Sequence, residues 1–288
     1  MSENQNDHPL NSAPPQSHPL SDQPPKRQLD APQRQRTGIR IPTAAEIPLV
    51  TYSLIAINAV IFALRYFAPD ISNEVLYAGV THPELVLGYN QYYRLFTSMF
   101  LHFNELHIVF NMMALYYIGG NLERLFGHIR FSIIYVLGGL AGSILPLYFG
   151  SGGLGASGAV FAIWGTEAVF IYQNRKLFGA AGQARLRNSL FFMGFNFLLG
   201  FSANAVAEVA DSGIRIGNTA HFGGLAAGVI LGFLLVPRFE VKRKVTPEGV
   251  FAVEIEQTVN LQDKLPQVLL VTAGLLGMLW FARFLYFA

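Results

Sequence analysis

The chain has 288 residues, of which 52% are hydrophobic and 13% charged, about half the charged fraction of an average soluble protein. This composition excludes a secreted, fibrous or ordinary cytosolic protein, and the formal net charge of +2 is too small to indicate a nucleic-acid partner. Because the chain has no cysteine, a disulfide framework, a thiolate nucleophile and a cysteine-ligated metal site are excluded as well.

The first 45 residues differ in composition from the rest of the chain. They hold eight of the fifteen prolines together with many Gln, Asn and Ser, and almost no bulky apolar residues. Such a segment cannot bury enough apolar surface to offset its ordering entropy, so residues 1–45 are predicted to form a disordered tail. The tail has neither a basic start nor an apolar core, so we expect no cleaved secretory signal and insertion through the first hydrophobic helix.

Beyond the tail, seven apolar segments of roughly 18 to 23 residues are each long enough to cross the ~30 Å hydrocarbon core as a helix. They lie at about 47–67, 104–122, 131–149, 156–173, 189–207, 219–236 and 267–287. The sequence thus predicts an all-α polytopic membrane protein with a six-helix core over 46–237, a polar linker over 238–266 and a C-terminal seventh transmembrane helix over 267–288. The connection 68–103 is unusually long, which indicates a function or partial membrane embedding.

Positive charges gather on one side of the predicted membrane. If the tail is inside, sixteen of the twenty Lys and Arg residues fall in inner regions, and the four exceptions are Arg65, Arg94, Arg215 and Arg283. Since loops rich in Lys and Arg stay on the cytoplasmic side, we expect a cytoplasmic N-terminus, a cytoplasmic linker and an outside C-terminus. The even-numbered helices then run from outside to inside.

Two of these inward-running helices begin with residues that are suited to catalysis. Ser157 opens the fourth segment within Gly-Ala-Ser-Gly, and His221 lies near the start of the sixth. Each is about three residues into its segment, so the two lie at similar depth. Placing a polar group in a bilayer costs free energy, so such a group usually has a function. A histidine beside a serine hydroxyl is the pattern of an activated nucleophile. The sequence therefore predicts a Ser157/His221 dyad.

Glycines supply the close helix approach that such a pair requires. Around His221, one face of the sixth segment carries glycines at three- and four-residue steps, at positions 217, 224, 228 and 232. Small residues in this pattern allow tight helix packing in lipid. Gly158 and Ala162 offer a matching stripe beside Ser157, so the fourth and sixth helices are predicted to pack closely.

The second segment carries two further polar side chains near its outer end. His107 and Asn111 are four residues apart and share a helix face, and donors of these types stabilise the oxyanion that develops in acyl transfer. A metal site is the alternative, but His102 and His107 are five residues apart, about 140° round a helix, and no His-Glu-x-x-His run occurs. The sequence favours an oxyanion hole and predicts no metal or other cofactor.

No acidic residue is placed to complete a triad. Glu167 lies ten residues after Ser157, about 15 Å deeper, so we expect it to reach a polar partner or the inner surface. Glu208 and Asp211 fall at an outer helix end and could approach His221, although nothing in their spacing requires it. The prediction is a two-residue Ser/His mechanism.

Several motifs, in order and in the expected helices over about residues 47–237, resemble the rhomboid family of intramembrane serine proteases. They are Tyr93-Arg94, His102, His107-x-x-x-Asn111, Glu123-Arg124-Leu125-Phe126-Gly127, Gly155-Ala156-Ser157-Gly158 and Ala220-His221-Phe222-Gly223-Gly224-Leu225-Ala226-Ala227-Gly228. The resemblance implies a six-helix catalytic core in which Ser157 attacks the peptide carbonyl and His221 is the general base and then the general acid. It implies an oxyanion hole made by His107, Asn111 and the Ser157 N–H.

The resemblance also implies the substrates and the moving parts. Substrates would be single-span transmembrane proteins, cut near the outer face in helices that unwind readily, with the fifth segment and the 208–218 loop acting as a gate. Two residues depart from the family pattern, since Phe161 replaces a frequent tyrosine and Tyr93 a common tryptophan. Neither change removes a catalytic atom, and the Phe161 ring can still pack against the His221 ring.

Two other functional classes remain as alternatives. A non-proteolytic rhomboid-like factor that binds membrane proteins would typically lack the serine or the histidine, both of which this chain has. A small-molecule transporter would have paired broken helices near the membrane centre, whereas the polar residues here gather near outer helix ends. The missing cysteine and organellar presequence favour a bacterial inner (plasma) membrane. The expected environment is the lipid bilayer without nucleic acid, and homo-oligomerisation and the natural substrate stay open.

Overall fold

The computed structural model describes residues 43–209, 217–245 and 251–288, with side chains described throughout these ranges except at 203–209, 243–245 and 251–254. The predicted disordered tail therefore lies almost wholly outside the described residues. The same is true of most of the 208–218 loop that was predicted to take part in a gate.

Helices make up most of the described chain. They are α1 (Leu49–Phe67), α2 (Pro69–Gly79), α3 (Arg94–Thr97), α4 (Glu105–Ala114), α5 (Gly120–Phe126), α6 (His128–Ile144), α7 (Ser157–Gln173), α8 (Arg175–Val209), α9 (Asn218–Leu235) and α10 (Leu265–Phe287). A wider turn at Leu115–Gly119 joins α4 to α5, and α8 is interrupted at Gly179, whose φ of 53° is left-handed.

Each of the seven predicted segments coincides with a helix or a run of helices. Within the described ranges, four stretches are long and apolar enough by themselves to cross a membrane: Leu49–Phe67, His128–Phe149, Asn218–Leu235 and Gln262–Phe287. These helices confirm the all-α polytopic membrane fold, whereas the count of seven crossings stays a prediction. The long 68–103 connection contains α2 and α3 and is therefore largely ordered.

Helices α6, α7 and α9 form the centre of the fold. Helix α7 packs along α9, and α6 packs against both. Lipid tails are as apolar as leucine, so helices in a bilayer associate through close packing more than through the hydrophobic effect. Small residues at the α7–α9 and α6–α7 contacts meet this need. For example, a Cβ atom on Gly138 of α6 would lie 2.1 Å from the Ala162 Cβ of α7.

A buried carboxylate joins α5 to the start of α1. Glu123 accepts hydrogen bonds from the backbone N–H groups of Val50 (2.8 Å) and Thr51 (2.7 Å), and it also contacts the His128 ring. The first N–H groups of a helix have no partner within the helix and carry the positive end of its dipole. The carboxylate therefore satisfies two such donors and fixes the beginning of α1 against α5.

A second buried carboxylate joins α7 to α8. Glu167 accepts a hydrogen bond from Arg185 Nε (2.9 Å), pairs with Arg185 Nη2, and accepts another from the Ser189 hydroxyl (2.8 Å). The expectation that Glu167 reaches a polar partner is thereby confirmed. Glu167 is almost fully buried while Arg185 is 47% exposed, so protein encloses only part of the pair.

Removing this carboxylate is expected to destabilise the protein. Glu167→Ala leaves the Arg185 guanidinium without its partner, and we expect a loss of about 1–3 kcal/mol, below the ~3–5 kcal/mol of a fully buried pair because Arg185 is half exposed. The measurement is the unfolding midpoint in detergent, with Glu74→Ala on the exposed surface of α2 as control. Equal midpoints for the two variants would contradict a stabilising role of the pair.

The linker 238–266 contains a strand pair that the sequence analysis did not predict. Strands β1 (Phe239–Val245) and β2 (Phe251–Gln257) pair antiparallel, with Val241 opposite Ile255. The alternation of apolar and charged residues in Phe-Glu-Val-Lys and Val-Glu-Ile-Glu is the period-two pattern of a strand. The high charge of the segment favoured a plain polar connection instead.

Candidate active site

Ser157 is the first residue of α7 and follows a loop that is firmly held. The Gly155 N–H donates to the Ser98 carbonyl oxygen (2.8 Å), and Gly153 exchanges two backbone hydrogen bonds with Thr81. Gly155 has a φ of +123°, a conformation that glycine adopts without the strain of a side chain. The sequence therefore fixes the turn immediately before Ser157, which is itself partly buried.

Glycines bring the backbones of α7 and α9 into direct contact beside Ser157. A Cβ atom on Gly224 would lie 1.9 Å from the Gly158 carbonyl oxygen, and one on Gly228 would lie 2.1 Å from that of Ala162. Only hydrogen fits at either position. The predicted close packing of the fourth and sixth segments is confirmed at these positions.

His221 is buried and held by two aromatic rings. Its imidazole stacks on the Phe161 ring, with centroids 4.3 Å apart and planes 10° from parallel, and Phe197 of α8 meets it nearly at right angles. Phe161 lies one turn after Ser157 on the same helix, so the imidazole lies against the helix that begins with the serine. The expectation that Phe161 still packs against His221 is confirmed.

Ser157 and His221 lie on adjoining first turns of α7 and α9, but their side chains form no mutual hydrogen bond in the described part of the chain. Catalytic hydrogen bonds in ligand-free enzymes are often long and tighten only when substrate is bound. The His221 Nδ1 atom is buried without a partner among the described residues. Of the two acids that could have approached it, Asp211 and the Glu208 side chain lie outside the described part.

His107 lies beside Ser157. The point that a Cβ atom on Gly155 would occupy is 2.7 Å from His107 Nε2 and 3.8 Å from Ser157 Oγ, so imidazole and hydroxyl border the same small space. His107 Nδ1 accepts a 3.5 Å hydrogen bond from the Phe103 N–H. In the neutral ring this long contact favours the proton on Nε2, the nitrogen that borders this space.

Asn111 is buried one turn further along α4. Its side-chain amide donates to the His107 carbonyl oxygen (2.8 Å), and an amide group has a second N–H with which it can bind another acceptor. Asn104, by contrast, caps α4 by accepting the His107 N–H (2.9 Å).

The prediction that His102 and His107 lie on different faces of one helix is wrong. It assumed one continuous helix, but α4 begins at Glu105, so His102 precedes the helix. The two rings meet edge to face with centroids 4.9 Å apart, and both His102 ring nitrogens are buried without a partner in the described chain. Across the described residues, no three His, Asp or Glu side chains are arranged to hold a metal ion.

The site thus gathers a serine hydroxyl, a buried imidazole and two side-chain donors at the first two turns of three neighbouring helices. A hydroxyl nucleophile with a neighbouring base, and donors aimed at a developing oxyanion, are the groups that acyl transfer requires. Sequence analysis missed the contribution of Phe197, because it lies on another helix with no fixed spacing to His221.

Comparison with known proteins identifies the family. Residues 89–238, just over half of the chain, match the model of the Rhomboid domain. Over 174 residues the chain is 37% identical to RHOMBOID-like protein 2 of Arabidopsis thaliana, covering 60% of this chain and 51% of that protein. It is 32% identical over 184 residues to Rhomboid protease GluP of Bacillus subtilis (strain 168), covering 63% of this chain and 34% of GluP.

A shorter relative matches over most of its length. The chain is 29% identical over 199 residues to Putative rhomboid protease YdcA of Bacillus subtilis (strain 168), covering 67% of this chain and 91% of YdcA. The chain spans about half the length or less of the two larger proteins. The matched region contains α4–α7 and α9, the helices that carry Ser157, His221, His107 and Asn111. The chain belongs to the rhomboid family.

Proposed function

We propose that the protein is an intramembrane serine endopeptidase with Ser157 as nucleophile and His221 as general base. The observation that carries the proposal is the backbone contact of Gly158 with Gly224. It joins the first turn of α7, one residue after Ser157, to the second turn of α9, three residues after His221. The protease names of the Bacillus relatives support the same activity.

The proposed reaction proceeds in two stages. In the first, His221 takes the proton of the Ser157 hydroxyl while the oxygen attacks the scissile carbonyl, and the protonated imidazole then gives that proton to the leaving amine. In the second, His221 takes a proton from water, which attacks the acyl ester, and returns it to the Ser157 oxygen. Each stage therefore restores the neutral imidazole, and the sum of the two stages is hydrolysis of one peptide bond.

Three donors are proposed to stabilise the oxyanion of each tetrahedral intermediate. They are His107 Nε2–H, the side-chain amide of Asn111 and the Ser157 backbone N–H. The tautomer that the long Phe103 contact favours supplies the first. At a helix N-terminus, the Ser157 N–H has no partner within its own helix, and the dipole there favours negative charge. Such donors are worth more in a site of low dielectric than in water.

We further propose single-span transmembrane proteins as substrates. A peptide bond within a regular helix is shielded and hydrogen-bonded, so the substrate must become extended before attack. The site lies at helix ends, where an unwound segment can leave the bilayer core and where water is available. The excess of Lys and Arg in one set of loops supports a cytoplasmic N-terminus, an outside C-terminus and cutting near the outer face of the plasma membrane.

Reconstitution of the wild-type protein in liposomes with a single-span reporter protein tests the proposed activity. We expect one cut near the membrane surface, blocked by a serine-directed fluorophosphonate and unchanged by EDTA, because the mechanism uses no metal ion. Inhibition by EDTA that Zn²⁺ reverses would contradict the serine mechanism. Absence of cutting across a panel of reporters would favour the non-proteolytic binding factor instead.

A further inference from the structure

Helix α4, the wider turn at Leu115–Gly119 and α5 follow one another without a break and are called here the α4–α5 rod. A second polar cleft lies at the end of this rod that is farther from His107. It has a volume of about 190 Å³ and is lined by Pro48, Tyr52, Tyr116, Tyr117, Gly120, Asn121 and Arg124. Arg124 follows His107 by seventeen residues, which corresponds to about 25 Å at 1.5 Å rise per residue. The cleft therefore opens at the membrane surface opposite Ser157 and is separate from the candidate active site.

Arg124 brings a positive charge to the cleft that no acid among the described residues neutralises. Its carbonyl oxygen accepts the N–H groups of Ala44 (2.7 Å) and Ala45 (3.1 Å), which holds its backbone in place. The neighbouring Glu123 is engaged by the start of α1. Within the described part of the chain, the Arg124 guanidinium forms no ion pair or hydrogen bond. Its planar set of donors matches the oxygens of a phosphate.

The opposite wall of the cleft is aromatic. The Tyr52 and Tyr116 rings stack with centroids 6.2 Å apart, and Tyr117 meets Tyr116 edge to face at 5.1 Å. Tyr116 and Tyr117 are two turns deeper along the rod than Arg124, about 10 Å toward the membrane centre. Tyrosine rings favour this depth, where one end is apolar and the hydroxyl meets headgroups.

The cleft therefore changes from charged to aromatic along the membrane normal, as a phospholipid changes from phosphate to glycerol ester to acyl chain. We propose that it binds an anionic phospholipid, with the phosphodiester at Arg124 and Asn121 and the glycerol-ester region against Tyr52 and Tyr116. Basic pockets between transmembrane helices are known to take such headgroups. A free phosphate would leave the aromatic wall unused. The proposal depends on the membrane placement of α1 and α5 and not on proteolysis.

Native mass spectrometry of the full-length protein in detergent, titrated with phosphatidylglycerol, tests this site. We expect Arg124→Gln to raise the dissociation constant of the first bound lipid about fivefold. This is the change in affinity that corresponds to the binding free energy of one Lys or Arg near an anionic membrane surface. Arg124→Lys keeps the charge and is expected to lie closer to the wild type. Arg175→Gln is the matched control, because Arg175 is exposed, lies over the Tyr172 ring and is not part of the cleft.

Three results would overturn the proposal. The first is equal lipid affinity for Arg124→Gln and Arg175→Gln, with both variants eluting as the wild type does. The second is wild-type binding of phosphatidylcholine as tight as that of phosphatidylglycerol. The third is displacement of the lipid by inorganic phosphate at equal concentration, which would mark a site for free phosphate. The last two use only the wild-type protein and decide the matter even if Arg124→Gln does not fold.

Discussion

Gly224→Ala is expected to lower proteolytic activity by about a hundredfold or more, the effect of displacing a catalytic group by roughly 1 Å. The added Cβ atom would lie 1.9 Å from the Gly158 carbonyl oxygen, far inside the ~3.5 Å of an ordinary contact. Because that oxygen belongs to the backbone, no side-chain rotation relieves the clash. Helices α7 and α9 must move apart, which separates Ser157 from His221.

The matched control for this change is Gly274→Ala in α10. No atom lies within 4 Å of the Cβ position at Gly274, and both substitutions gain the same helix propensity, about 1 kcal/mol. The rate of reporter cleavage and the unfolding midpoint in detergent are measured for both variants. Overpacking should also destabilise Gly224→Ala by about 1–3 kcal/mol. Wild-type rates for both variants would refute the close α7–α9 contact.

Ser157→Ala and His221→Ala are each expected to reduce kcat by about 10⁴-fold or more, and the double variant no further, because groups that act as a unit are not additive. Without the serine oxygen no acyl ester forms, and without the imidazole the hydroxyl is a weak nucleophile. Single-turnover cleavage of a reporter in liposomes measures the rates. His82→Ala, an exposed histidine outside the site, should retain wild-type activity. A single variant that cleaves normally would refute the dyad.

The sequence was sufficient to predict the helices and the approach of two of them. Apolar segments long enough to span a bilayer have few alternatives to a helix, because their backbone groups must be satisfied within the segment. The glycine stripe near His221 predicted that the sixth segment packs closely against the fourth, because Gly224 and Gly228 leave room for another backbone. Both inferences depend on local sequence features.

Three features of the site and fold were not predicted. The Glu167–Arg185 pair joins two helices across the break at Gly179, and no spacing rule relates them. His102 was misplaced because one continuous helix was assumed to carry both His102 and His107, although Asn104 followed by Glu105 is a recognisable helix start. The strand pair at 239–257 was missed because the high charge of the segment was taken to indicate a polar connection, and its alternation of apolar and charged residues was neglected. The identity of the Glu167 partner depends on a long-range contact, whereas the other two features were missed because local signals were neglected.

The most direct measurement of the central claim is where a fluorophosphonate attaches to the protein in liposomes. Peptide mass spectrometry is predicted to find the adduct on Ser157 of the wild type, at a rate greatly reduced in His221→Ala and near normal in His82→Ala. Such a result would identify Ser157 as the nucleophile and His221 as the group that activates it. Labelling at another residue, or undiminished labelling of Ser157→Ala or His221→Ala, would contradict the account.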